Sequence, residues 1–179
     1  MSEPTPTLPL AIVLMGVSSS GKSTIGVKLS ELLGWPFRDA DSFHPPANIA
    51  KMSRGIPLED GDRWPWLDAI AAWIDHELAE RRSVLVSCSA LKRSYRRRLV
   101  RDRRDVRLVF LQGSFELIGK RMAARRDHFM PVSLLQNQFA VLEEPSPDEN
   151  ALVVSVALPV ERVAQIIIAE FGLASQEGA

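Results

Sequence analysis

Eight residues near the start of the chain constrain its fold more than any others. Gly16-Val17-Ser18-Ser19-Ser20-Gly21-Lys22-Ser23 fits the pattern G-x-x-x-x-G-K-[ST]. The flanks give the pattern its meaning. Before it stands an unbroken apolar run, residues 10–15, of the length expected for a strand buried on both faces. After it, residues 22–33 carry apolar side chains at helical spacing. In such a strand, loop and helix, the glycines let successive N–H groups face one anion, and the helix N-terminus adds partial positive charge. Gly16, Ser18, Ser19, Ser20, Gly21, Lys22, Ser23 and Thr24 are therefore expected to cradle the phosphates of a nucleoside triphosphate. Lys22 would reach the β- and γ-phosphates, and the Ser23 hydroxyl would ligate Mg²⁺.

The rest of the chain repeats the strand-then-helix alternation. Apolar runs return at residues 84–86, 106–111 and 152–156, with a shorter strand expected at 35–37. Helical spacing covers residues 66–81, 94–103, 115–125 and 160–171. This order predicts an α/β fold, a parallel sheet with helices on both faces, whose ligands sit beyond the carboxyl ends of the strands. One domain is expected over residues 1–179, with residues 1–9 as a flexible lead-in. Trp66, Leu67, Ile70, Trp73 and Ile74 read as core, Cys88 as a small buried hydrophobe and His76 as surface.

Composition narrows the partners. Lys plus Arg and Asp plus Glu both number 22, so no global charge draws the chain to nucleic acid or a membrane. A single cysteine rules out an internal disulfide, and the N-terminus lacks the features of a signal peptide. No apolar run is long enough to span a bilayer, so the cytoplasm is the expected setting.

The loop alone does not name an acceptor, and three segments speak to it. Asp39, Asp41 and His44 crowd the end of the short second strand, where a carboxylate could take a proton from an attacking hydroxyl or hold Mg²⁺ through water. An Asx-turn and helix cap ahead of Pro45-Pro46 is the structural alternative. The run 84–86 ends in Ser87-Cys88-Ser89 without the acid that many phosphate-loop proteins use to support the metal, so that duty falls to Asp39 and Asp41. Residues 91–107 hold nine Lys or Arg residues against two acids. Most of these form a solvated helix face, and only Lys92, Arg93 and Arg96, near its start, are expected to look into the cleft. The patch lacks the aromatic interleaving of a nucleic-acid surface beyond Tyr95, which leaves a nucleic-acid module as a minor alternative. Finally, Arg121 and Arg125 lie four apart on one helix face, leading into a loop broken by Pro131, as lid arginines would.

Longer blocks carry a resemblance. The chain reads G-V-S-S-S-G-K-S-T over residues 16–24 and D-A-D-S-F-H-P-P-A-N-I-A-K-M-S-R-G-I-P-L-E-D-G-D-R-W-P-W-L over 39–67. It then reads C-S-A-L-K-R-S-Y-R over 88–96 and H-F-M-P-V-S-L-L-Q-N-Q-F-A-V-L-E over 128–143. In these blocks it resembles the gluconokinases, small-molecule kinases of the phosphate-loop superfamily. The resemblance implies transfer of a phosphoryl group from ATP, with Mg²⁺, to the 6-hydroxyl of D-gluconate. It implies Asp41 as the carboxylate that orients or deprotonates that hydroxyl, with Asp39 and His44 on neighbouring hydroxyls. Arg63 would meet the substrate carboxylate, with Arg96 a second candidate and Lys92 and Gln138 weaker ones. Arg121 and Arg125 would act from a lid at about residues 121–140, and the assembly would be a homodimer. Another small sugar acid, or a shikimate-like acid, is the alternative acceptor. Ser146-Pro147 and Trp64 depart from the family pattern, near the lid's exit and on one helix face.

Overall fold

The computed structural model describes residues 8–125 and 132–175. Among these residues five strands form one parallel sheet: β1 Ala11–Met15, β2 Phe37–Asp39, β3 Val84–Ser87, β4 Val106–Gln112 and β5 Leu152–Ser155, in the spatial order β2-β3-β1-β4-β5. β1 is central, paired on one side to β3 from Ala11↔Val84 and on the other to β4 from Ala11↔Val106. The chain leaves β1 to build one wing and returns to build the other, so a crevice opens at the carboxyl end of β1, where doubly wound folds bind ligands.

Among the described residues, seven α-helices cover the sheet: α1 Lys22–Leu33, α2 Pro46–Ser53, α3 Asp60–Ala79, α4 Arg93–Val100, α5 Phe115–Ala124, α6 Val132–Val141 and α7 Val160–Glu170. Alternation along β1 explains the layering. Ala11, Val13 and Met15 pack into one core with Trp66, Ile70 and Ile74 of α3 and Tyr95 and Leu99 of α4, whereas Ile12 and Leu14 join Leu29 of α1 and Ile167 of α7. A third, smaller cluster joins Val17, just past β1, to Leu91, Ile118, Met122 and Leu135.

Several boundaries differ from the sequence-based expectation. The second strand runs from Phe37 to Asp39, two residues later than expected, which puts Asp39 in register with Ser87 at the strand ends. α3 begins at Asp60 rather than 66, because a capping box between Glu59 and Asp62 starts it before Pro65. α2 shows no helical spacing in the sequence and is signalled only by the cap ahead of Pro45-Pro46; Pro46 stands in its first turn, where its missing N–H costs nothing. α6 occupies the second half of the expected lid, and the last turn of α5 its start. The lead-in residues 1–7 and the lid residues 126–131, His128 and Pro131 among them, lie outside the described residues.

Candidate active site

The loop between β1 and α1 is shaped by two glycines. Gly21 is left-handed (φ 95°), a conformation that side chains other than glycine rarely adopt. A Cβ on Gly16 would sit 2.9 Å from the Leu111 carbonyl oxygen. The loop folds tightly on itself. Lys22 Nζ donates to the carbonyls of Gly16 and Val17 at 2.9 Å each. Enclosure there strips water from the ammonium and lowers its pKa to about 8, against the raising influence of Cys88, Asp39 and Asp41. Burial pushes the Cys88 thiol up to about 12, so it is an inert neighbour.

Ser23 faces the second wing. Its hydroxyl donates to Asp39 Oδ2 at 2.9 Å, while Asp39 Oδ1 accepts from the Asp41 N–H at 2.9 Å. Asp39 is thus both the Asx cap of a short 3₁₀ turn and the acid beside the loop serine; the two sequence readings are one arrangement. Of the two acids considered for the duty left by Ser87-Cys88-Ser89, Asp39 is the one bonded to Ser23. Asp41 points into the opening. Water exclusion by its neighbours, then the charge of Asp39, raises its pKa; its side chain is 89 % exposed, so solvent screens both effects in the open cleft.

His44 closes this wall. Its ring stacks on Trp66 at 4.4 Å between centroids, and its Nε2 lies 3.8 Å from Asp41 Oδ1. Burial lowers its pKa, aided by the charge of Arg63 and opposed by Asp41, so it is neutral at pH 7. Buried Asn48 fixes the tautomer. Its Nδ2 donates to the Asp62 carbonyl at 2.9 Å, which identifies that atom as the amide nitrogen, and the same atom contacts His44 Nδ1 at 3.3 Å. Nδ1 therefore accepts, and the proton sits on Nε2, toward Asp41.

Cations form the facing wall. Arg63 donates to the Leu58 carbonyl at 2.7 Å and lies 5.7 Å from the Tyr95 ring centroid. Lys92 pairs with Asp60 at 3.0 Å, and the Tyr95 hydroxyl donates to the same carboxylate. Those hydrogen bonds, Tyr95 first and then Lys92, hold the Asp60 carboxyl below its usual range. Asp60, Tyr95 and Asn48 escaped the sequence reading. The i, i+3 spacing of Lys92 and Tyr95 and the i, i+4 spacing of His44 and Asn48 were the available signals.

Arg96 is the correction. Its side chain is 1 % exposed, doubly bonded to Glu149 at 2.7 and 2.9 Å and bonded to the carbonyls of Ala90 and Leu91. It is a buried strut outside the cleft. Arg93 likewise turns away, to Ser146 and Asp148, and of the expected trio Lys92 is the one that joins Asp60 and Tyr95 near Arg63. The unusual Ser146-Pro147 begins a second capping box with Glu149, which anchors the chain beyond α6.

The lid elements lie close by. Gln138 of α6 grips the loop, its Oε1 accepting from the Ser18 N–H at 2.6 Å and its Nε2 donating to Ser18 Oγ at 2.9 Å. Arg121 donates to the Val156 carbonyl. Arg125, exposed at the end of α5, is near enough for its charge to weigh on Lys22.

A phosphate loop, two acids and a cationic wall around one opening are the parts of a small-molecule kinase. Comparison with known proteins agrees. The shikimate kinase family matches residues 18–160. The gluconokinase of Gluconobacter oxydans (strain 621H) is 44% identical over 147 residues, covering 82% of this chain and 83% of its own. The chain belongs to the gluconokinase family. Among solved structures, a gluconokinase from Sinorhizobium meliloti 1021 is 48% identical, with 92% of this chain and 93% of that one covered at a TM-score of 0.79. An unliganded sugar kinase from Janibacter sp. HTCC2649 reaches a TM-score of 0.84 at 44% identity, covering 93% and 96%. Among the described residues, no helix is long and apolar enough to cross a membrane.

Proposed function

We propose that the chain transfers the γ-phosphoryl group of ATP to the 6-hydroxyl of D-gluconate, forming 6-phospho-D-gluconate. The observation that carries this reading is the Ser23–Asp39 hydrogen bond of 2.9 Å, which brings the phosphate cradle against the acidic wall. Donor and acceptor of the phosphoryl group would then meet at that seam.

In this reading the loop N–H groups and Lys22 hold the triphosphate, with Arg121 and Arg125 closing over it from the lid. Ser23 and Asp39 offer the hard oxygen donors that suit Mg²⁺, an ion that takes few protein ligands and keeps water and phosphate oxygens. Bound there, the ion would neutralise charge on the phosphates. Asp41 accepts the proton of the 6-hydroxyl as that oxygen bonds to phosphorus and the bond to the bridging oxygen of ADP breaks. Neutral His44, with its proton on Nε2, donates to a neighbouring substrate oxygen. Arg63 and Lys92 meet the sugar-acid carboxylate, which an arginine fork selects better than hydroxyls can. A homodimer in the cytoplasm is the setting we infer, from the family resemblance and the single cysteine.

A coupled assay of ADP release across acids tests the assignment. Turnover with D-gluconate and not with shikimate is expected. Turnover with shikimate but not gluconate sinks the gluconate reading and would favour the acid suggested by the wider family match.

A further inference from the structure

The sheet leaves a gap on the side opposite its catalytic end. β5 begins opposite Val109, so among the described residues no strand lies on that side of Val106, Arg107 and Leu108 at the amino end of β4. A cavity of about 390 Å³ fills that place, floored by Val106 and Leu108 and walled by α4 and by Asp148, Glu149 and Asn150. At about 3.3 Å per residue, its floor lies roughly 13 Å below the phosphate loop along the sheet.

Its lining is far from electrically balanced. Among the described residues, seven arginines and three acids line the cavity, in a chain whose positive and negative residues cancel at 22 each. Four of the arginines are held by carboxylates: Arg93 by Asp148, Arg96 by Glu149, Arg101 by Asp75, and Arg103 by Asp75 and Asp105. Arg97, Arg104 and Arg107 have no acidic partner among the described residues, and Arg107 rests over the Phe171 ring at 5.8 Å. Asp102 is the one rim acid likewise without a cationic partner among them. The paired arginines build a rigid wall; the others leave surplus positive charge over a concave floor.

We propose that this cavity is a second anion site, which takes a small phosphate-bearing molecule. The volume matches a small ligand. Guanidinium forks bind phosphate oxygens in pairs, and a polyphosphate carries enough charge to offset several of them at once. Among the described residues no aromatic side chain lines the cavity, so it offers no platform for stacked bases and does not fit a nucleic-acid strand. The site is independent of the catalytic reading, because none of its residues belongs to the cleft.

Calorimetric titration of the full chain with inorganic pyrophosphate tests it. The phosphate loop binds pyrophosphate too, so Lys22→Ala is titrated beside the wild type to separate the two. Two binding events are expected in the wild type and one in Lys22→Ala. Adding Arg97→Gln and Arg104→Gln to Lys22→Ala should weaken the remaining event about tenfold or more. The same two arginine changes alone should leave the melting temperature and ATP-dependent turnover as in the wild type, since both side chains are exposed. A single event that vanishes in Lys22→Ala, or a remaining event untouched by the arginine changes, overturns the proposal. Repeating the titration with ADP separates the two sources of the same chemistry: retention at the second site assigns a nucleotide diphosphate, and loss assigns the bare polyphosphate.

Discussion

Asn48 holds the unprotonated face of His44, through a contact of 3.3 Å between Nδ2 and Nδ1 on adjoining turns of the acidic wall. Replacing that donor by an acceptor should invert the arrangement. In Asn48→Asp, the new carboxylate would draw a proton onto Nδ1 and raise the His44 pKa, where burial now lowers it. Nitrogen NMR of the ring should move from the Nε2–H tautomer to imidazolium at neutral pH. An unchanged tautomer and titration would mean that stacking on Trp66 alone orients the ring.

Asp41→Asn removes a proton acceptor while keeping shape. We expect kcat to fall by about 100-fold or more, with the ATP KM changed by no more than a few fold. A fall in kcat of less than tenfold would leave Asp41 a positioning residue. Arg63→Ala should act on the other parameter, raising the gluconate KM; an unchanged value would move the carboxylate contact to Lys92.

Lys22 makes stability depend on alkaline pH. Its folded pKa of about 8 lies below the ordinary lysine value of 10.5, so between those values the unfolded chain binds more protons than the folded one. Stability contributed by this group therefore rises from pH 8 to pH 10.5 and is lost as pH falls back through 8. The shift corresponds to roughly 3 kcal/mol at most, less where solvent reaches the ammonium. Denaturant unfolding across that window should show the rise in the wild type and a flatter profile in Lys22→Met, which should also lose turnover.

Arg96 separates structure from catalysis. Arg96→Met leaves Glu149 buried without its partner, and we expect a loss of about 3 kcal/mol in unfolding free energy. Turnover of the folded fraction should keep its gluconate KM. A raised KM with unchanged stability would return Arg96 to the substrate.

Gln138 occupies the Ser18 N–H, a donor that the proposed site would offer to the nucleotide. Freeing that donor in Gln138→Ala should lower the ATP KM by about fivefold, the worth of one hydrogen bond near 1 kcal/mol. A selective rise in the gluconate KM would instead place this side chain on the acceptor.

The sequence made the sheet and loop legible because both are written locally. The run ending at Met15 and the spacing Gly16, Gly21, Lys22 fix strand, loop and helix within two dozen residues. Asp39 and Asp41 were legible for the same reason. Arg96 was not, because its burial depends on Glu149, 53 residues away, and helical spacing cannot tell a buried arginine from a solvated one. Asp60 was hidden because the apolar spacing that marks the helix starts at residue 66, whereas the capping box begins the helix before Pro65. Gln138 was noticed but aimed at the sugar acid, since no local rule places a residue of α6 against a loop 120 positions earlier.

Val17 has a wider consequence. It belongs at once to the phosphate loop and to the apolar cluster of Leu91, Ile118, Met122 and Leu135. The covering segment is thus no detachable accessory: grafting it from a relative with differently shaped side chains would disturb the nucleotide cradle before touching any polar group. Inheritance of the two must be joint, and natural variation at Met122 or Leu135 should travel with compensating variation at position 17.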